Sequence, residues 1–419
     1  MKLSAKLMAT ALVAVTAVAT GCTTHKNFLR AEGVKIVNDG GEVLLRGMGL
    51  GGWVLQEPYM MRLPHGMGTQ TALRDSLVAL VGEERTAEFY RAWWRNGIQK
   101  RDIDSLAAWG FNHVRMPMHY NIYTLPVDRE PVAGQHTWLE DGFALTDSLL
   151  SWCEANKIYL FLDLHAAPGG QGNDVAISDA APVKLWQDER NVEKAVALWR
   201  KLAERYKNEE WIGGYDIINE PNWGFTDPEG DRNGTREQVN GPLRDYFVRV
   251  TEAIRQVDKN HIVVIEGNAW GNNYNGVWPL DWDIAANTVI SFHRYWIENT
   301  QETLTTALTN RTTQNAPLWM SESGENSNEW FTDAVRLLEN NDIGWCWWTY
   351  KRMGTPTPME IIPGEGYQRL LDYWSGNAPR PTADEAWAAL QTLAENYKQE
   401  NTIFHRDYID ALFRRTDAE

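Results

Sequence analysis

Two glutamates each lie at the end of a different short apolar run of the chain. Glu220 lies in the Ile-Asn-Glu-Pro segment 218–221, and Glu322 lies in the Trp-Met-Ser-Glu-Ser-Gly segment 319–324. Two carboxylates that face each other across a groove can cleave a glycosidic bond, because one donates a proton to the leaving oxygen while the other attacks or stabilises the sugar cation. The pair therefore predicts glycosidic chemistry, provided that the fold brings the two side chains together.

Polar or aromatic residues also lie at the ends of other apolar runs. Arg115 ends the second run, His165 the third, His293 and Tyr295 the sixth, and Trp348 the eighth. A single arginine or histidine in such a place is often a satisfied structural residue. Because several such ends carry one, and because polar strand ends of a barrel converge on one pocket, we expect these side chains to surround the two glutamates.

Eight short apolar runs alternate with longer amphipathic stretches. This alternation is typical of a parallel sheet, and eight repeats favour closure into a (β/α)8 barrel. A doubly wound open sheet is the competing architecture, although no glycine fingerprint for a dinucleotide follows the first run. The predicted strands are Leu44–Leu50, His113–Pro117, Ile158–Leu164, Gly214–Asn219, Ile262–Gly267, Val289–His293, Leu318–Glu322 and Gly344–Tyr350.

The segments between these strands show helical periodicity. The clearest predicted helices are Arg101–Trp109, Gly142–Asn156, Asn191–Tyr206 and Pro242–Val257. We also expect a helical insertion over 70–96, a glycine-rich rim over 169–173, a long loop over 352–379 and two helices in the tail from residue 381. No linker or second compositional block is found, so we predict a single catalytic domain over residues 33–419, opened by a hairpin over 33–47.

Several motifs occur in an order that is specific when they are taken together. Beside the two glutamate segments they are Leu45–Trp53 (LRGMGLGGW), Gly110–Arg115 (GFNHVR) and Gly344–Trp348 (GWCWW). The set resembles glycoside hydrolase family 5, a family of retaining glycosidases on a (β/α)8 barrel with carboxylates on strands four and seven. The resemblance covers nearly the whole chain from residue 33 onward. Ser323 departs from it, because many relatives carry an aromatic residue there.

The resemblance implies a role for each candidate residue. Glu220 would be the acid/base and Glu322 the nucleophile, while Glu325 is a weaker rival because it should lie past the strand end. The other candidates would bind the sugar or support the carboxylates: Arg115 paired with Glu322, Asn219 on the sugar 2-hydroxyl, His165 and His293 lining the subsite, Tyr295 donating to Glu322, and Trp348 as the floor under the sugar.

Composition limits the partners. The net charge of -16 repels a phosphate backbone, so we expect no nucleic acid partner. The 21 tryptophans fit core packing and stacking on sugar rings equally well. No cysteine or histidine cluster has the spacing of a metal site, and we expect neither a metal nor a cofactor. Cys153 and Cys346 are expected in the core, and whether they pair stays open.

The N-terminus resembles a bacterial lipoprotein signal. Lys2 and Lys6 precede an apolar stretch, and Cys22 follows it. Cleavage before Cys22 would remove residues 1–21 and leave 22–32 as a tether. A lipid on the Cys22 thiol would then hold the protein in the cell envelope, and which membrane leaflet holds the anchor stays open. Ordinary secretory cleavage is the alternative, and either process puts the mature protein outside the cytoplasm.

Hydrolysis of a β-glucan polysaccharide or oligosaccharide by a monomer is the function that these expectations favour. Internal cleavage of β-1,4-glucan, as in a cellulase, is the first choice. Exo-β-1,3-glucan cleavage is the alternative, because the Ala-Ala-Pro-Gly-Gly-Gln segment 166–171 and the helical insertion look similar to that branch of the family. Mannan and xyloglucan stay open as substrates, and a surface glycan-binding lipoprotein without activity is the non-enzymatic alternative.

Overall fold

A closed barrel of eight parallel strands forms the centre of the molecule. The structure is a computed structural model that describes residues 27–279 and 286–415. Each strand pairs with the next along the chain and the eighth pairs with the first, so the (β/α)8 prediction is confirmed and the open sheet is wrong. The strands β1 to β8 are Arg46–Gly49, His113–His119, Tyr159–Ala166, Ile212–Asp216, Ile262–Glu266, Thr288–His293, Leu318–Gly324 and Gly344–Trp348.

Helices surround the barrel and connect its strands. In the described part of the chain, none of them is both long enough and apolar enough to cross a membrane. The helices of eight or more residues, α1 to α11, are Gln70–Val81, Glu83–Gly97, Lys100–Trp109, Glu140–Asn156, Glu189–Tyr206, Gly241–Arg255, Thr305–Gln314, Asn328–Glu339, Gly364–Trp374, Ala383–Asn396 and Arg406–Phe413. The predicted insertion is thus α1 and α2, and the predicted tail helices are α10 and α11.

Helix α3 illustrates how local sequence sets an element that leads into the barrel. At its start, Gln99 and Asp102 form a reciprocal capping box that satisfies free backbone N–H groups. Ile103 is fully buried beneath the helix. Gly110 ends the helix with φ +104°, a left-handed conformation that glycine adopts without strain. The chain then enters β2 at His113.

Aromatic rings fill the interior of the barrel below the strand ends. The ring of Trp319 lies 4.5 Å from Phe161 and 5.4 Å from His113, measured between centroids. Gly47 is required beside them, because a Cβ there would lie 2.1 Å from the His113 ring. Burial lowers the pKa of His113 to about 3, so this histidine is a neutral packing residue. The packed interior leaves the carboxyl ends of the strands as the face open to a ligand.

The fold begins earlier in the chain than the expected start at residue 33. Leu29 is fully buried, and the strand Arg30–Glu32 pairs with the strand Lys35–Asn38. The expected hairpin is present, since Lys35–Asn38 also pairs with Gly41–Glu42. The part of the expected tether from residue 27 onward therefore belongs to the folded body. The signal segment and Cys22 lie outside the described residues.

The segment expected as a long loop after β8 is largely regular. Strand Lys351–Met353 pairs with Met359–Ile361, which pairs in turn with Ile403–Phe404, and α9 follows. These strands are two or three residues long, too short for a periodic pattern to be read from the sequence. The two cysteines of the described chain, Cys153 and Cys346, are both buried and free.

Candidate active site

The carboxyl ends of β4 and β7 bring Glu220 and Glu322 together, as the sequence predicted. One carboxylate oxygen from each glutamate and one ring nitrogen of His293 all lie within 4.8 Å of one another. Glu220 is 7% exposed and Glu322 is 5% exposed, so both carboxylates are largely buried. In a glycosidase whose attacking group is a water molecule, the two carboxyls stand about 6.5–9.5 Å apart. Where one carboxylate itself attacks the anomeric carbon, they stand about 5–5.5 Å apart. The observed spacing fits direct attack.

An irregularity in β7 aims Glu322 at the site. The register of β7 against β6 shifts between Met320 and Glu322, which is the mark of a β-bulge. Such a bulge redirects the side chains that follow it. Ser323, the departure from the family pattern, is buried and its hydroxyl donates to the Arg294 carbonyl at 2.6 Å. The serine thus ties β7 to the end of β6.

Two donors hold Glu322. Arg115 Nη1 donates to Oε2 at 2.7 Å, and the Tyr295 hydroxyl donates to Oε1 at 2.7 Å. Burial alone would raise the pKa of Glu322. The positive charges of His293 and Arg115 and the Tyr295 hydrogen bond outweigh burial and lower the pKa of this carboxyl. Glu322 is therefore the ionised member of the pair.

Buried acids fix the guanidinium of Arg115 in turn. Its Nε donates to Asp216 at 2.9 Å, and its Nη2 donates to Asn219 Oδ1 at 2.7 Å and lies 3.2 Å from Asp163. Arg115 has no exposed surface. Because both aspartates are also fully buried, the arginine keeps one orientation, with its remaining nitrogen directed at Glu322.

Glu220 has a different environment. His293 Nδ1 forms a hydrogen bond with its Oε1 at 2.7 Å. Burial raises the pKa of Glu220 and the charge of Glu322 adds to this, while His293 opposes it, and the net direction is upward. Glu220 also adopts a left-handed backbone with φ +43°, and its N–H donates to Glu266 Oε1 at 3.0 Å. Two adjacent glutamates thus have pKa values shifted in opposite directions.

Glu266 is a residue that sequence reasoning missed. It is fully buried, and burial raises its pKa well above the usual range. Its Oε2 lies 3.4 Å from His293 Nε2, so His293 stands between Glu266 and Glu220. A signal was available, because this acidic residue ends the otherwise apolar run Ile-Val-Val-Ile-Glu of β5.

Glu57 is a second missed residue. It lies in the loop after β1, is 4% exposed, and its Oε1 is 3.5 Å from His165 Nε2. Burial raises its pKa to about 7. Glu57 stands seven residues beyond the end of the predicted first strand, so the rule that strand ends carry the site did not reach it.

His165 and Trp348 lie against each other, and Trp348 is buried rather than an open floor. Their rings are parallel, with 2° between the planes and 5.3 Å between the centroids. His165 Nδ1 is 2.7 Å from Asp163 Oδ2, and Trp348 Nε1 donates to the Tyr59 hydroxyl at 2.8 Å. Trp348 is 3% exposed, because the rings and loops around it cover the indole.

The segment 169–173, which was expected to form a flexible rim, is instead largely buried and connects two strand ends through the Gln171 side chain. Gln171 has no exposed surface, and its Nε2 donates to the carbonyls of His165 and Asn219, each at 2.7 Å. The Asn219 side chain in turn lies between Arg115 and His165, with its Nδ2 3.2 Å from His165 Nε2. This segment therefore fixes β3 and β4 relative to each other at the site.

The site contains a group of possible metal ligands. They are the facing atoms of Glu220, His293 and Glu322. A cation bound there would compete for Glu322 with the Arg115 guanidinium, which already lies 2.7 Å from that carboxylate, and the two positive charges would repel each other in a buried place. We therefore interpret the three residues as a hydrogen-bonded acid–base group.

Comparison with known proteins agrees with this geometry. A family model described as "Cellulase (glycosyl hydrolase family 5)" matches residues 78–354, more than half of the chain. The chain belongs to glycosyl hydrolase family 5. The resemblance found in the sequence is thereby confirmed.

Individual relatives of this family 5 chain carry different names. It is 31% identical to a beta-xylosidase from Phanerodontia chrysosporium over 64% of this chain and 52% of the relative. It is 27% identical to a probable glucan 1,3-beta-glucosidase A from Aspergillus clavatus, over 69% of this chain and 64% of the relative. It is 25% identical to endoglucanase C from Acetivibrio thermocellus, over 61% of this chain and 84% of the relative. The chain thus spans between half and two thirds of the length of the first two.

Proposed function

We propose that this family 5 protein hydrolyses β-glucosidic bonds of β-glucans with retention of anomeric configuration. One observation carries the proposal: the facing oxygens of Glu220 and Glu322 lie within 4.8 Å, and the pKa of the first is raised while that of the second is lowered. This combination supplies a protonated acid and an ionised nucleophile at the same place.

In the first step, the Glu322 carboxylate attacks the anomeric carbon and forms a glycosyl ester. The bond from that carbon to the glycosidic oxygen breaks, and Glu220 gives its proton to the departing oxygen. The ester carries no negative charge, so the repulsion that helps to keep Glu220 protonated disappears and its pKa falls. In the second step Glu220 takes a proton from water, the water oxygen attacks the anomeric carbon, and Glu322 leaves as a carboxylate.

The neighbouring residues support these two steps. Arg115 and Tyr295 keep Glu322 ionised and oriented, since they donate to different oxygens of the same carboxylate. His293 orients Glu220 through their 2.7 Å hydrogen bond. We infer that Asn219, whose side chain lies between Arg115 and His165, donates to the 2-hydroxyl of the sugar under attack, a contact that strengthens in the transition state.

Attack at the end of a β-1,3-glucan chain is the activity that we place first. The low exposure of both carboxylates supports a pocket that admits a chain end, and the likeness to a glucan 1,3-beta-glucosidase points the same way. Internal cleavage of β-1,4-glucan, the first choice from the sequence, is the second candidate, favoured by the likeness to endoglucanase C. Linkage and mode of attack are separable by experiment.

Product analysis on defined oligosaccharides tests the proposal. The purified protein is incubated with β-1,3, β-1,4 and mixed-linkage tetra- and pentasaccharides labelled at the reducing end, and proton NMR records which anomer forms first. We expect β-glucose and a labelled chain shortened by one unit, with the β-1,3 series cleaved fastest. Labelled products of several lengths from the β-1,4 series would favour the second candidate. The α-anomer as first product, or no cleavage in any series, would reject the proposal.

We also propose that the protein acts as a monomer outside the cytoplasm, held in the cell envelope through a lipid on Cys22. The lipoprotein-like pattern of residues 1–22 supports this location. Metabolic labelling with a fatty acid should mark the mature protein when the full-length sequence is expressed in a bacterial host, and a Cys22→Ser variant should lose the label.

A further inference from the structure

An exposed tryptophan borders the site without a role in the steps above. Trp296 directly follows Tyr295 and is 69% exposed, the most among the large apolar side chains in the part of the chain that the structure describes. Tryptophan is highly buried on average, so an indole that is exposed next to a residue of the site is a candidate contact for a ligand.

The indole of Trp296 is held in place. Its Nε1 donates to the Glu325 carbonyl at 3.0 Å, three residues beyond the nucleophile. Its ring also contacts the ring of Tyr295, with 5.3 Å between centroids and 41° between planes. Because the Tyr295 hydroxyl binds Glu322, the position of the indole is fixed relative to the reacting carboxylate. The ring edge is thus engaged while most of the side-chain surface stays open.

Glu325 links Trp296 to a second aromatic ring at the rim. The Glu325 carboxylate pairs with Arg352 at 3.3 Å, and the Arg352 guanidinium lies 4.9 Å over the ring of Tyr59. Tyr59 in turn accepts a hydrogen bond from the buried indole of Trp348. Glu325, considered above as a rival nucleophile, is therefore engaged in an ion pair at the rim.

We propose that Trp296 is a stacking platform for a glucosyl residue adjacent to the one whose bond is cleaved. The proposal rests on the proposed function and adds to it a binding subsite and its occupant. A β-linked glucosyl ring carries its hydroxyls around the edge, so its C–H face is apolar and fits a flat indole. Trp296 contacts Tyr295, and Tyr295 binds Glu322. These contacts identify the occupant, because a glucan whose anomeric carbon lies at Glu322 must extend past the rim of the site.

Calorimetric binding in a Glu322→Gln background tests the platform without turnover. The ligands are glucose and β-1,3 and β-1,4 di-, tri- and tetrasaccharides. Adding Trp296→Ala should weaken binding of the trisaccharide in the preferred series by about 5- to 10-fold, in line with the contribution of an aromatic contact, and should leave glucose binding unchanged. Trp296→Tyr should restore most of the affinity. Phe404→Ala is the matched control, since Phe404 is also exposed but stacks on Trp109 at the end of α3, and it should change nothing.

Equal oligosaccharide affinity with and without Trp296 would overturn the platform, as would absence of oligosaccharide binding in the parent. Sedimentation of the same variants tests the other possible occupant, a second copy of the chain. A change in association state without a change in sugar affinity would also overturn the proposal. If the variants behave as expected but the wild-type protein cleaves none of the ligands, the proposed function falls and the platform stands.

Discussion

Replacing Tyr295 with phenylalanine would remove one hydrogen bond from Glu322 and little else. The hydroxyl donates to Oε1 at 2.7 Å, while the nearest ring nitrogen of His293 is 3.8 Å from the same oxygen. A hydrogen bond to a charged group contributes about 1.5–3 kcal/mol, and about 1.4 kcal/mol corresponds to one pKa unit. Because the ionised form of Glu322 loses its donor, we expect its pKa to rise by about one to two units.

The pH dependence of kcat/KM on an aryl β-glucoside measures this shift. Glu322 must be ionised to attack, so its pKa sets the acidic limb, and the limb should move to higher pH by about one to two units. Tyr206→Phe is the matched control, because the Tyr206 hydroxyl donates to Asp147 at 2.8 Å between α5 and α4, away from the site. An acidic limb that stays in place in Tyr295→Phe, or an equal shift in the control, would refute the reasoning.

Three further predictions follow from the same geometry. Glu220→Gln should lower kcat by about 10²- to 10⁴-fold on aryl glucosides with poor leaving groups. The rate of the glycosylation step on a dinitrophenyl glucoside should fall far less, because this leaving group departs without a proton. An equal loss on both substrates would exclude Glu220 as the acid. Arg115→Met should cost about 3–5 kcal/mol in denaturant unfolding, because it leaves Asp216 buried without its ion-pair partner and leaves Asp163 with His165 alone. The control Arg101→Met, which breaks an exposed pair with Glu400, should cost less than about 1 kcal/mol. Dialysis against a chelator should leave activity unchanged, and a loss that added metal restores would instead assign a metal to Glu220, His293 and Glu322.

Sequence periodicity predicted the barrel because its eight strands are short, apolar and separated by amphipathic helices. The candidate residues could be chosen because parallel strands end on one face, where their side chains must converge. Arg115, Asn219 and Tyr295 all contact the site through hydrogen bonds that follow from that rule. The positions of the strands and of their ends thus predicted both the fold and most of the candidate site residues.

Other features depend on contacts between distant segments. Glu57 reaches the site from a loop, seven residues beyond the end of the predicted first strand. The near-complete burial of Trp348 results from packing that no periodicity encodes, and the buried role of Gln171 depends on two carbonyls from different strands. Such features require coordinates, since each involves residues many positions apart.

Identification of the residue that forms a covalent bond with the sugar tests the central claim most directly. The protein is incubated with 2-deoxy-2-fluoro-β-glucosyl fluoride, which slows release of a glycosyl ester, and is then digested and analysed by mass spectrometry. We predict one fluoroglucosyl group per chain, attached to Glu322. A label on Glu57, Glu220 or Glu325, or turnover that yields the α-anomer without any label, would contradict the account.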